Sequence, residues 1–140
     1  MHILVAGGNG FIGSHLVPEL LADGHEVTVL ARTPDSDAMP EGVETVSGDI
    51  TAYDSIESAV AGHDAVVNLV ALSPLFKPKG GDKMHDEVHR HGTENLVRAA
   101  EAGDVGRFLQ LSALGADPDG ATASIRAKGQ AEDHVTDSAL

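Results

Sequence analysis

The chain has 140 residues, enough for one domain with a real core, and 41% of them are hydrophobic, an ordinary share for a globular protein. It contains no cysteine, which excludes disulfides, thiol catalysis and cysteine metal sites. Its 22 acidic residues against 9 basic ones give a net charge of −13, so no basic patch exists to neutralise nucleic-acid phosphates.

The acidic residues are spread along the whole chain and read as a solvated, self-repelling surface. Such an acidic, lysine-poor surface resembles that of proteins adapted to high salt, where counterions screen the repulsion. No apolar run reaches the roughly 18 residues of a membrane span. No basic segment leads an apolar one at the N-terminus, so a cytoplasmic location is expected.

Residues 3–6, Ile-Leu-Val-Ala, read as a buried strand. From 11 to 22, Ile12, Leu16 and Leu20, joined by Val17 and Leu21, recur at helical spacing. Pro18 interrupts that pattern and removes one helical hydrogen bond, which predicts a kink or local adjustment. Gly24 is placed to end the helix in a left-handed cap. A second strand spans 27–30, a polar loop 33–42 and a third strand 43–46. Asp54 or Ser55 is placed to cap a short helix reaching Ala61. Residues 65–72 are nearly all apolar, as a strand covered on both faces should be. A loop over 73–83 carries Lys77, Lys79 and Lys83. A helix over 84–102 follows, with Val88, Leu96, Val97 and Ala100 on its apolar side. A fifth strand spans 108–111, a turn 117–120 and a last helix 122–137.

Strands alternating with helices predict an α/β fold with a parallel sheet and helices on both faces. Five strands are expected, and the chain stops where a doubly wound fold normally continues into a sixth. All 140 residues read as one domain.

Between the first strand and the first helix stands Gly7-Gly8-Asn9-Gly10-Phe11-Ile12-Gly13. In that context the spacing has a physical reading. Gly7 makes the tight exit from the strand, and Gly10 lets the backbone approach a pyrophosphate. Gly13 lets the helix pack closely on the strand. The free N–H groups at the helix start, at Phe11 and Ile12, face the phosphates together with the positive end of the dipole. The end of the second strand tests the cofactor type. A ribose 2′-hydroxyl calls for Asp or Glu there; this chain has Arg32, which suits a 2′-phosphate and points to NADP over NAD, or is simply a surface arginine. Asp49 and Ile50, after the third strand, are placed to flank an adenine, and Asp49 serves equally well as a turn former.

The stretches GGNGFIGSHL, GDI, VVNLVA, HGTENLVRAA and FLQLSALGAD together resemble the extended and atypical short-chain dehydrogenase/reductases. More narrowly they resemble the NAD-dependent epimerase/dehydratase branch, near the nucleotide-binding accessory subunit of respiratory complex I and the NmrA-like proteins. The resemblance implies a Rossmann-type NAD(P)-binding domain over 1–140, with the substrate-binding part of the family absent from this chain. It implies Leu69 and Ala71 as further cofactor contacts. As ligands it implies the dinucleotide and a small-molecule substrate. As partners it implies further copies of the chain or a respiratory complex. It also implies a Tyr-x-x-x-Lys pair on the helix after the fifth strand. The matching positions hold Ser124 and Lys128: the lysine is present and the tyrosine is not. The usual catalytic serine position holds Leu114, with Ser112 two residues earlier. The usual asparagine before the Gly-Thr pair of the fourth helix is His89. Ser112, Ser124 and Lys128 are the catalytic candidates. These departures leave two readings: an oxidoreductase or epimerase-like enzyme with an atypical proton donor, and a non-catalytic NADP(H)-binding accessory or redox-sensing protein.

His85, Asp86, Glu87 and His89 invite a metal reading, but neither metal-ligating order of His and Glu is met. No metal is expected, and the two histidines read as part of a solvated helix face.

Overall fold

The computed structural model describes residues 1–140 as a five-stranded, all-parallel sheet in the order β3-β2-β1-β4-β5. The strands are β1 (His2–Ala6), β2 (Glu26–Ala31), β3 (Glu44–Ser47), β4 (Ala65–Asn68) and β5 (Phe108–Gln110). The helices are α1 (Phe11–Ala22), α2 (Glu57–Val60), α3 (Lys83–His85), α4 (Gly92–Ala102) and α5 (Ala123–Thr136), with a π-helical segment at Asp86–His91 joining α3 to α4.

Strand periodicity explains why the central strands are apolar throughout. Side chains alternate between faces, and both faces are covered. Leu4, Ala6, Leu30 and Val66 enter one core with Ile56 and Val60 beneath α2 and Leu96, Ala99 and Ala100 of α4. Ile3, Val5, Val27, Val29 and Ala65 enter the other, against Val17 of α1. Each fully buried Leu or Val of this kind contributes roughly 1.5–3 kcal/mol.

Helix α1 occupies the expected residues and runs unbroken through Pro18. The Ser14 hydroxyl donates to the Phe11 carbonyl at 2.7 Å in its first turn. Gly24 takes φ +82°, the left-handed end expected of it. Three expectations need correction. Neither Asp54 nor Ser55 caps a helix side-on: the Ser55 hydroxyl donates to the Ala52 and Asp49 carbonyls and accepts the Asp49 N–H, so it ties down the turn after β3 instead. Strand β4 ends at Asn68 rather than at 72, where both its neighbours stop pairing: β1 at Ala6 and β5 at Gln110. The helix over 84–102 passes through a π-helical turn, spanned by a bidentate ion pair from Arg90 to Asp86 at 2.6 and 2.8 Å. Helix α5 starts where expected, with the Thr122 hydroxyl accepting the Ile125 N–H.

Candidate functional site

A cleft of about 590 Å³ opens at the carboxyl ends of the strands, within the size range of small-molecule sites. Of the residues expected to hold a cofactor, Gly7, Gly10, Arg32, Asp49, Ile50, Leu69 and Ala71 line it. Phe11, Ile12, Gly13 and Lys128, the last also expected as a cofactor contact, do not: the first two start α1 with exposed side chains, Gly13 lies buried behind the turn, and Lys128 lies buried on α5. A second depression of about 280 Å³ lies between α4 and α5, lined by Glu94, Glu101 and Asp137, whose carboxylates oppose an anionic ligand.

The glycine turn is built for close approach. Gly7 takes φ +76°, and its N–H donates to the Leu30 carbonyl at 2.9 Å, so the turn locks onto β2 as it leaves β1. A Cβ at Gly13 would stand 2.1 Å from the Gly8 carbonyl oxygen, so only glycine lets α1 pack on the turn. Gly10 differs. It has φ −84° and a Cβ there would meet only the Gly7 oxygen, at 3.2 Å. Nothing in the protein fills the space beside it, and it opens into the cleft at the N-terminus of α1. That vacancy beside free helix N–H groups fits a pyrophosphate.

Around the turn, the rims are polar in a restricted way. Arg32 is exposed, and its guanidinium makes no ion pair. Asp49 is a turn former: its Oδ1 accepts the Thr51 N–H at 2.9 Å and the Thr51 hydroxyl at 2.8 Å. Ile50 is held in place because the Asn95 side-chain amide donates to its carbonyl at 2.8 Å. Lys77, Lys79 and Lys83 are exposed on the segment between Leu72 and Met84, both of which line the cleft.

None of the catalytic candidates Ser112, Ser124 and Lys128 lines the cleft. Ser124 and Lys128 share one face of α5 and are 8% and 7% exposed. Burial pushes the Lys128 ammonium below its ordinary pKa, and Glu132 acts weakly the other way. Ser112 Oγ is buried with no hydrogen-bond partner, whereas Leu114 stands wholly in solvent. The chain's one tyrosine, Tyr53, is outside the cleft: its hydroxyl donates to Glu57 at 3.0 Å and its ring lies 3.9 Å under the Arg98 guanidinium.

His85 and His89 correct the solvated-face expectation. They are 6% and 2% exposed, because α5 packs over the π-helical segment. Their rings stack at 5.6 Å, and the Nδ1 atom of each is buried without a partner. His89 Nε2 accepts the Leu72 N–H at 3.4 Å. Burial first, then Lys128 and His85, push the His89 pKa down to about 4, so its ring is neutral at pH 7.

Sequence reasoning passed over Asn68, which is 1% exposed. Its amide donates to Thr93 Oγ1 at 3.2 Å and Gln110 Oε1 at 3.0 Å, while its Oδ1 accepts the Val70 N–H. The signal was present: a lone amide inside the apolar run AVVNLVAL.

A family model described as NAD(P)H-binding matches residues 7–140. A 3-beta-hydroxysteroid dehydrogenase of Mycolicibacterium neoaurum is 38% identical over 114 residues, covering 76% of this chain and 30% of that protein. A dTDP-glucose 4,6-dehydratase of Streptomyces niveus is 34% identical over 138 residues, covering 86% of this chain and 41% of that protein. Among solved structures, a NAD-dependent epimerase/dehydratase from Bacillus halodurans matches with TM-score 0.84 at 28% identity, over 100% of this chain and 66% of that one. A UDP-glucose 4-epimerase of Thermus thermophilus in complex with NAD matches with TM-score 0.78 at 27% identity, over 97% of this chain and 50% of that one. This chain therefore spans 30–41% of these two curated relatives and 50–66% of these two solved structures.

Proposed function

This chain belongs to the NAD(P)H-binding family, in the extended short-chain dehydrogenase/reductase and epimerase/dehydratase group, and on that footing we propose that its cleft holds NADP(H) for a reaction on a small molecule. The observation that carries the reading is the open space beside Gly10 at the start of α1. The pyrophosphate would rest on the helix N–H groups of Phe11 and Ile12. The adenine would lie between the Asp49–Ile50 turn and the Arg32 rim. Leu69 and Ala71 would flank the second half of the dinucleotide, and Lys128 would hold its ribose. The bound nicotinamide supplies hydride transfer. Arg32 supports NADP through its unpaired guanidinium. The Thermus epimerase was solved with NAD, so the proposed preference for NADP rests on Arg32 alone.

Titration with NADH and NADPH, followed by nicotinamide fluorescence, tests the reading. Both should bind, NADPH the more tightly, and Arg32→Ala should remove the difference. Binding of neither dinucleotide would refute the site, and tighter NADH binding would refute the role of Arg32.

One set of observations favours a second reading, in which the protein binds NADP(H) without catalysis. Ser124 stands where the family places its tyrosine, and a serine hydroxyl titrates far too high to replace a phenol as proton donor. Leu114, at the usual serine position, points into solvent. An assay of the protein against a carbonyl panel separates the two. Ordinary reduction rates would refute the non-catalytic reading, and activity appearing only in Ser124→Tyr would support it.

A further inference from the structure

Next to the cleft lining at Leu72 and Val88, but not in it, several buried polar groups lack partners. His89 and Lys128 are 2% and 7% exposed. The Leu72 N–H donates to His89 Nε2, which fixes the proton of the neutral ring on Nδ1. That Nδ1–H is therefore a donor, and no acceptor meets it. The Lys128 ammonium adds three donors, and no carboxylate pairs with it at ion-pair distance. The two groups sit on elements packed against each other, α5 and the π-helical segment, and the Lys128 charge lowers the His89 pKa. A buried donor without an acceptor costs stability, so a fold that keeps one invites a search for what completes it.

The surroundings say where the acceptor comes from. Leu72, whose N–H meets the ring, lines the cleft, and so does Val88, the residue before His89. The cleft runs from Arg32 and Asp49 across the glycine turn to this end. A dinucleotide with its pyrophosphate on that turn and its adenosine at Arg32 sends its second half toward His89. The π-helical register at Asp86–His91 carries the histidine, and such irregular turns recur at functional sites.

We propose that His89 is a ligand-positioning residue whose Nδ1–H, beside the Lys128 ammonium, donates to a hydroxyl oxygen on the second ribose of the dinucleotide. The proposal rests on the dinucleotide reading, and the two are separable by experiment. ADP carries the adenosine and pyrophosphate alone, whereas ADP-ribose adds the second ribose.

The test is calorimetric titration of the full chain with ADP and with ADP-ribose, for the wild type and His89→Phe. Wild type should bind ADP-ribose more tightly than ADP. His89→Phe should weaken ADP-ribose about five- to tenfold, the worth of one hydrogen bond, and leave ADP unchanged. A second measurement needs no variant. In the histidine nitrogen NMR spectrum of the wild type, the His89 Nδ1–H resonance should shift with ADP-ribose and stay still with ADP. Unchanged ADP-ribose affinity in His89→Phe would overturn the proposal, and so would an Nδ1 signal indifferent to ADP-ribose. Equal binding of ADP and ADP-ribose by the wild type would overturn the proposal and leave the dinucleotide site standing. Failure to bind either would overturn both.

Discussion

Gly10 and Gly13 lie three residues apart, and replacing each with alanine should separate ligand binding from folding. At Gly13 the new Cβ would lie 2.1 Å from the Gly8 oxygen and 2.4 Å from the Gly8 carbonyl carbon. Both are backbone atoms, so α1 or the turn must move. Overpacking in a core typically costs about 1–3 kcal/mol, and a backbone clash this short belongs at or above the upper end. In a domain of this size that lowers the melting temperature by roughly 10 °C or more. At Gly10 the φ of −84° is open to alanine and the one close contact is 3.2 Å, so the cost is that of alanine at a helix N-cap, about 1 kcal/mol. The methyl group would nonetheless occupy the space assigned to the pyrophosphate. Losing one hydrogen bond to a charged group costs about 1.5–3 kcal/mol, a roughly 10- to 150-fold weaker dinucleotide. Thermal melts by circular dichroism and a fluorescence titration with NADPH read the two effects. A Gly10→Ala protein that binds like the wild type would refute the phosphate cradle. A Gly13→Ala protein with an unchanged melting temperature would refute the packing of α1 on the turn.

Three further outcomes follow from the same structure. Asn95→Leu should leave the Ile50 carbonyl without its 2.8 Å partner and lower stability by about 1–3 kcal/mol, read by urea unfolding; no loss would mean that water replaces the amide. Acid should destabilise the fold through His89: its folded pKa of about 4 lies below the ordinary 6.5, so the unfolded chain takes up a proton that the folded one refuses. Stability is then lost as pH falls from about 6.5 to about 4, by at most about 3 kcal/mol, and His89→Phe should flatten that slope in pH-dependent unfolding. With 22 acidic residues, of which only Asp86 and Glu94 pair with an arginine, repulsion should dominate the surface, and the melting temperature should rise between about 0.02 and 0.5 M NaCl. Indifference to salt would count against the high-salt reading.

The elements best read from the sequence are those whose signals are local. The ILVA run, the glycine turn, the 3.6-residue period of α1 and Gly24 lie within 22 consecutive residues, and the structure places β1 and α1 there. Asp117–Gly120 closes as a turn for the same reason: the Gly120 N–H donates to the Asp117 carbonyl at 2.9 Å. What escaped was set by distant partners. The end of β4 is set by distant partners on both sides, Ala6 of β1 and Gln110 of β5, the latter 42 residues later in the chain. Ser55 looks like a cap from its neighbours alone, but its hydroxyl is used by Asp49, six residues back. His85 and His89 look like surface residues on a polar stretch. Helix α5, more than 30 residues away, covers them.

The positions where this chain departs from its family therefore bear on a single question. By the resemblance, His89 stands where the family has an asparagine, Ser124 where it has a tyrosine and Leu114 where it has a serine. From sequence these are three separate losses, and together they suggest decay of a catalytic site. The structure distinguishes them. Leu114 has left the site for solvent, whereas Ser124 remains buried on α5 beside the turn of helix that carries Lys128. Lys128 and His89 are buried too; His89 Nδ1 has no partner, and Lys128 makes no ion pair. Drift to a merely structural role should have removed such groups, because an unpaired buried donor or charge lowers stability and apolar replacements are readily available. A buried lysine and a buried histidine next to the cleft lining at Leu72 and Val88 are therefore better explained by a bound ligand than by packing alone.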